Sequence, residues 1–168
     1  MSEAATAGAL RRPRLGLGLA VAVLCFLLDQ ATKWWILAAV MQPPRVIEVT
    51  SFFNLVLAWN RGVSFSLFYS DHDAMPWILS AVALAIVAYL FFWLRKSDRA
   101  LPAAALGLVI GGAIGNLVDR LRFGAVIDFL QLHAAGFYWP AFNVADSGIC
   151  VGVAILVLDG LFAKPETR

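Results

Sequence analysis

Residues 100–120 read Ala-Leu-Pro-Ala-Ala-Ala-Leu-Gly-Leu-Val-Ile-Gly-Gly-Ala-Ile-Gly-Asn-Leu-Val-Asp-Arg, and this stretch decides what kind of molecule the chain makes. Nineteen residues, 100–118, carry no charge, and the run stops against Asp119 and Arg120. A bilayer core of ~30 Å takes about 20 helical residues, so the length is that of a membrane span. Gly107, Gly111 and Gly115 recur every four residues, and Gly148 and Gly152 repeat the spacing later. Small residues so spaced let membrane helices approach closely, which predicts that the third and fourth spans pack together.

Composition agrees with a lipid solvent. The 168 residues are 61% hydrophobic and 14% charged, with a mean hydropathy of +0.80. A soluble domain carries roughly 45–50% apolar and about 25% charged residues. One of this size could not hide so much apolar surface from water. An ordinary soluble domain and a disordered chain are both excluded. Three further spans complete a set of four: residues 15–40, interrupted by Asp29, Gln30 and Lys33; residues 74–94; and residues 140–162, broken by Asn143 and Asp146. Between the first two, residues 43–70 are rich in β-branched and aromatic side chains, among them Val46, Ile47, Val49, Phe52, Phe53 and Trp59. The expected fold is an all-α integral membrane protein, one domain over residues 1–168. It has four transmembrane helices and a small outward-facing β-sheet between helices 1 and 2, and residues 119–139 form a second outer loop.

Basic residues set the orientation. Arg11, Arg12 and Arg14 precede the first span, Arg95, Lys96 and Arg99 join the second to the third, and Lys164 and Arg168 follow the fourth. The opposite side holds only Arg45, Arg61, Arg120 and Arg122. Both termini are therefore expected in the cytoplasm. The first span resembles a signal peptide in its basic start and small residues Ala38 and Ala39, but its polar residues argue for an uncleaved anchor. The net charge of +2 gives no footprint for nucleic acid. Cys25 and Cys150 lie in apolar runs and read as packing residues. His72 and His133 stand far apart without ligand spacing, so neither a metal nor a cofactor is expected.

The chemistry lies in polar residues placed where lipid penalises them. An acidic side chain at the bilayer centre costs roughly 2.5–3.5 kcal/mol on insertion scales. Asp29 and Lys33 lie one turn apart late in the first span. Asn116, Asp119 and Arg120 close the third, Asn143 and Asp146 open the fourth, and Asp128 lies between those two. All fall toward the outer face. Each has a bland explanation: an intrahelical ion pair for Asp29–Lys33, an interfacial anchor for Asp119–Arg120, helix-start residues for Asn143 and Asp146. Asp159, at the other end, reads as structural. Taken together, Asp128 and Asp146 can form a pair that shares one proton, because two adjacent carboxylates cannot both ionise easily. Such a pair activates water with one member and protonates a carbonyl with the other. Asn143 can orient the pair, and Asn116 and Arg120 can hold substrate carbonyls. A Lys33-activated Ser64 or Ser66 is the alternative nucleophile, opposed by Asp29 beside Lys33.

Five motifs in order carry a family resemblance: Asp29-Gln30-Ala31-Thr32-Lys33, Asn60-Arg61-Gly62-Val63-Ser64-Phe65-Ser66, residues 111–120, Val126-Ile127-Asp128-Phe129, and Phe142-Asn143-Val144-Ala145-Asp146-Ser147. With them the chain resembles bacterial lipoprotein signal peptidase, signal peptidase II. The resemblance implies an aspartyl endopeptidase of the bacterial inner membrane that cuts prolipoproteins before a diacylglyceryl-modified cysteine; a monomer is expected, with membrane lipid as its other partner. It maps the catalytic pair onto Asp128 and Asp146, and the supporting residues onto Asp29, Lys33, Asn60, Gly62, Asn116, Arg120 and Asn143. The outer sheet becomes a substrate cradle on the membrane. Where the family often carries two alanines, this chain has Val63 and Ser64. The rivals are a proton-coupled transporter, for which no internal repeat speaks, a scaffold joined through its glycines, and an intramembrane protease for unmodified peptides.

Overall fold

The structure, a computed structural model, describes residues 13–62 and 75–162. Val63, Ser64, Ser66, His72 and the basic residues Arg11, Arg12, Lys164 and Arg168 lie outside the described residues. Among the described residues, four helices are long and apolar enough to cross a membrane. They are α1 (Leu15–Trp35, continued by one π-helical turn, Ile36–Val40), α2 (Met75–Leu94), α3 (Ala100–Phe123) and α4 (Val144–Phe162). The spans begin and end close to where hydropathy puts them. The exceptions are α3, which runs on through Asp119 and Arg120 to Phe123, and α4, which begins at Val144 rather than at 140.

Helix α3 forms the centre of the bundle, with α1, α2 and α4 around it. Its row of small residues makes this possible. A Cβ on Gly107 or Gly111 would strike the α1 backbone at Gly18 and Ala22, and one on Gly112 would meet the Ala145 carbonyl of α4 at 2.5 Å. Of the α4 glycines, Gly148 sits against the Cys25 sulfur of α1, 2.7 Å from where a Cβ would stand, and Gly152 against the Ala105 carbonyl of α3 at 2.6 Å. The two glycine rows thus do not face each other: Gly107 and Gly111 serve α1, and Gly112 receives α4. Ala22, Leu90, Leu94, Leu106, Val109 and Ile110 fill the space between helices. The outer faces are apolar side chains such as Leu24, Leu27, Val82, Leu84, Val157 and Leu158.

At one end of the bundle, Arg14 donates its backbone N–H to Ser97, and Arg99 holds Asp159 through two bonds of 2.5 and 2.7 Å. At the other end lies an antiparallel sheet in the order β1-β2-β3-β4. Strands β1 (Ile47–Thr50) and β2 (Phe53–Asn60) come from the segment between α1 and α2, as expected. The segment read as an outer loop adds β3 (Val126–Ala134) and β4 (Phe137–Tyr138). The outer sheet is therefore built from both loops, and its larger strand pair, β2 with β3, joins the two halves of the chain.

Two turns make this possible. Gly124 ends α3 in the left-handed region at φ +69°, donating its N–H to the Arg120 carbonyl at 2.9 Å. Ala135 and Gly136, at φ +49° and +82°, form the two-residue hairpin between β3 and β4. Ile36, Met41 and Phe129 make a second small core that fastens the sheet to the end of α1. Trp59 of β2 meets Phe123 edge-on at 5.7 Å, with the Arg122 guanidinium on that ring at 4.9 Å.

Candidate active site

The site forms where β3 passes the start of α4. Phe142 bridges to Leu130: its carbonyl accepts the N–H groups of Phe129 and Leu130 at 3.0 and 2.8 Å, and its own N–H returns to Leu130 at 2.9 Å. This pins Asn143, the residue after it, beside Asp128, the residue before Phe129. Asn143 and Asp146 then cap α4 reciprocally. The Asp146 N–H donates to Asn143 Oδ1 at 2.9 Å, and the Asn143 N–H donates to Asp146 Oδ2 at 3.3 Å. With its oxygen so fixed, Asn143 turns its amide nitrogen onto Asp128 Oδ1 at 2.7 Å. One asparagine therefore bridges the two aspartates. The helix-start explanation for Asn143 and Asp146 holds together with their place beside Asp128.

Asp128 is 2% exposed. Asn60, at the end of β2, donates to its Oδ2 at 3.0 Å. Gly62 orients that amide by giving its N–H to Asn60 Oδ1 at 3.1 Å. Burial, and then the neighbouring Asp146 charge, push the Asp128 carboxyl up to about 7, against the pull of the Asn60 and Asn143 hydrogen bonds and the Lys33 charge. Asp128 therefore keeps its proton to a much higher pH than an exposed aspartate would.

Beneath the pair lies a buried ionic cluster. Lys33 Nζ stands 2.8 Å from Asp29 Oδ2, 2.7 Å from Asp119 Oδ2 and 3.0 Å from Asn116 Oδ1. Its three N–H groups are taken, which argues against a lysine base for a serine. Asn116 donates on to Asp146 Oδ1 at 2.8 Å. Asp29 also reaches across to α4, where its Oδ1 accepts the free Ala145 N–H at 2.9 Å. The intrahelical pair is real, but Asp29 serves the start of α4 as well. Arg120 bonds the Asn116 carbonyl at 3.4 Å and carries its charge beside Asp146, Asp128 and Asp119. Its Nε, among the described residues, is the one buried side-chain nitrogen or oxygen without a hydrogen-bond partner.

All nine expected site residues meet in this region. Two more were missed. Asp119, read as an interfacial anchor, is 1% exposed, pairs with Lys33 and accepts the Ile127 N–H at 3.2 Å. Gln30 lies within reach of Asp29, the Gly115 carbonyl and Asp119 at 3.1, 3.3 and 3.1 Å. Their signal was adjacency: each follows or precedes an expected site residue within a short polar cluster. Among the described residues, no group of three His, Cys, Asp or Glu is arranged to hold a metal ion. Asp159, read as structural, pairs with Arg99 at the far end. Cys25 is buried against the Leu108 carbonyl, while Cys150 is exposed on α4.

The family model described as signal peptidase (SPase) II matches residues 21–162. The chain belongs to the signal peptidase II family. Membership makes it a peptidase of the aspartic class, and the transporter and scaffold alternatives fall away. A lipoprotein signal peptidase of Pseudoalteromonas atlantica is 44% identical over 141 residues, covering 83% of this chain and 85% of that protein. One from Sphingopyxis alaskensis is 45% identical over 153 residues, 90% of this chain and 88% of its own length. Two solved structures, each described as a bacterial membrane enzyme obtained by the in meso method, share the fold at 26% identity, with TM-scores of 0.79 and 0.77. They cover 94% and 91% of this chain, and 96% and 97% of their own.

Proposed function

We propose that this signal peptidase II cuts the signal peptide from diacylglyceryl-modified prolipoproteins immediately before the lipidated cysteine, with Asp128 and Asp146 activating water. The observation that carries the proposal is the Asn143 bridge, 2.7 Å to Asp128 and 3.3 Å to Asp146, at the sheet end of the bundle. Burial divides the roles. Asp128 holds the shared proton, and Asp146, half-exposed at the start of α4, takes one from water. The hydroxide attacks the scissile carbonyl carbon while Asp128 protonates the carbonyl oxygen. In collapse, a hydroxyl of the tetrahedral intermediate returns its proton to Asp128, and Asp146 delivers the other to the departing nitrogen. The C–N bond breaks, leaving an acid and an amine, and the pair regains its starting state. The buried Nε of Arg120 lacks a hydrogen-bond partner among the described residues, which supports a role for this side chain in bonding a substrate carbonyl.

The lipid fits this placement. Each buried CH₂ of an acyl chain contributes about 0.8 kcal/mol to membrane attachment. An enzyme whose carboxylates sit at the bundle end, with apolar helix faces alongside, can cut without extracting that lipid. Arg14, Arg95, Lys96 and Arg99 gather at the opposite end, which supports termini in the cytoplasm and a site on the outer face of a bacterial inner membrane. Every residue of the site comes from one chain, so a monomer suffices. The test is cleavage of two matched peptides in detergent, one diacylglyceryl-modified on its cysteine and one bare. Cutting of the lipidated peptide alone is expected. Equal cutting of both would remove the lipid requirement.

A further inference from the structure

We propose that Lys33 is a positioning residue for the peptidase, aiming through Asn116 the amide N–H that holds Asp146. This rests on the aspartyl mechanism proposed above. Lys33 does not touch Asp146. Its Nζ gives one N–H each to Asp29, Asp119 and Asn116 Oδ1, the last at 3.0 Å. The same Asn116 oxygen accepts the Asn143 amide at 3.2 Å, so both of its lone pairs are engaged. The Asn116 nitrogen is left to face Asp146 Oδ1, at 2.8 Å. Turning the amide over would set its NH₂ against an ammonium and a second amide N–H, and its oxygen against a carboxylate. A cation on the carbonyl side also polarises the amide and strengthens the bond its N–H makes. Of the charged groups around this relay, Asp128 faces it from β3, Asp29 from α1, and Asp119 and Arg120 from α3. Arg120 lies beside Asp146 as well, so what marks Lys33 is the route: its effect passes through Asn116.

The experiment is a double-mutant cycle on kcat and KM across pH with a diacylglyceryl peptide in detergent. Asn116→Leu leaves both Lys33 ion pairs in place. Loss of one hydrogen bond to a charged group predicts a fall in kcat of about 10- to 100-fold, with KM changed by less than about threefold. The variant Lys33→Met/Asp29→Asn/Asp119→Asn, which removes all three charges of the cluster together, is expected to match that fall in kcat with KM likewise held. Adding Asn116→Leu to it should change nothing more. Full additivity, or an unchanged kcat in either variant, overturns the proposal.

Asn116→Asp supplies a second test that does not depend on the triple variant folding. Lys33 and Asn143 hold one oxygen of the new carboxyl, so the other donates to Asp146 only when protonated, and activity is expected to recover as pH falls. Activity that falls in parallel with the parent's overturns the proposal. Activity retained in Asp128→Asn or Asp146→Asn would sink the aspartyl mechanism itself. Inactive dyad variants beside an additive cycle would sink only the role of Lys33.

Discussion

Replacing Asp29 by alanine tests how far the buried cluster supports the fold. Asp29 is fully buried and serves two elements: an ion pair to Lys33 at 2.8 Å within α1, and acceptance of the Ala145 N–H at 2.9 Å at the start of α4. Breaking a buried pair from one side costs about 3–5 kcal/mol, mostly because a charge is left uncompensated. Here Lys33 keeps Asp119 at 2.7 Å, so this part falls at or below the low end. The orphaned Ala145 N–H adds roughly 1–3 kcal/mol. A total of about 3–5 kcal/mol corresponds to a fall in melting temperature of roughly 6–20 °C for a chain of this size. Asp29→Asn keeps an oxygen for Ala145 and loses only the charge, so it should cost about 1–3 kcal/mol less than alanine. The assay is reversible unfolding in mixed micelles followed by circular dichroism, for the parent and both variants. Asp29→Ala unfolding within about 0.5 kcal/mol of the parent, the range of ordinary surface changes, would refute the reasoning.

Further predictions follow the same geometry. Asp128 has its carboxyl raised from 3.8 to about 7 in the folded protein, so folding binds its proton more tightly and its contribution to stability declines as pH climbs from about 4 to about 7. Asp128→Asn removes that decline, and its melting temperature relative to the parent should rise across this window; a constant difference contradicts the assignment. The same group makes activity fall as pH rises through about 7, because the proton-bearing form is lost. Since the Asn60 bond lowers that value, Asn60→Leu should move this limb upward by up to about one pH unit, read from kcat/KM against pH. By contrast, Asp159→Asn at the far end, paired with a half-exposed Arg99, should change unfolding by less than about 1 kcal/mol and leave kcat unaltered.

The four spans are legible in the sequence because lipid imposes a length and an apolarity that no other solvent requires. The polar residues stand out for the same reason, which marks Asp128, Asp146 and Asn143 as candidates. Strands β3 and β4 are harder to see. Residues 126–134 pair with β2 across more than sixty residues of sequence, and part of the run, Val126-Ile127-Asp128-Phe129, is buried on both sides, so it lacks the alternation that marks a strand. The glycine rows give close packing but not the partner. Spacing says that a face is small, while which helix fills it depends on the rotation of α3, which places Gly107 and Gly111 on α1 and Gly112 on α4. Asp119 reads as an anchor because a charge ending an apolar run commonly marks the interface. Only the continuation of α3 to Phe123 turns it inward onto Lys33.

In the proposed mechanism Asp128 and Asp146 together activate water. The most direct measurement is the initial rate of cleavage of a diacylglyceryl-modified prolipoprotein peptide by the parent, Asp128→Asn and Asp146→Asn, each shown folded by its circular dichroism. Asparagine keeps the shape of either side chain but can neither take the proton from water nor give one to the carbonyl. Each general acid–base role contributes about 10²–10⁴-fold, so both variants should lose at least about a hundredfold in kcat. A rate within about threefold of the parent in either variant would contradict the account.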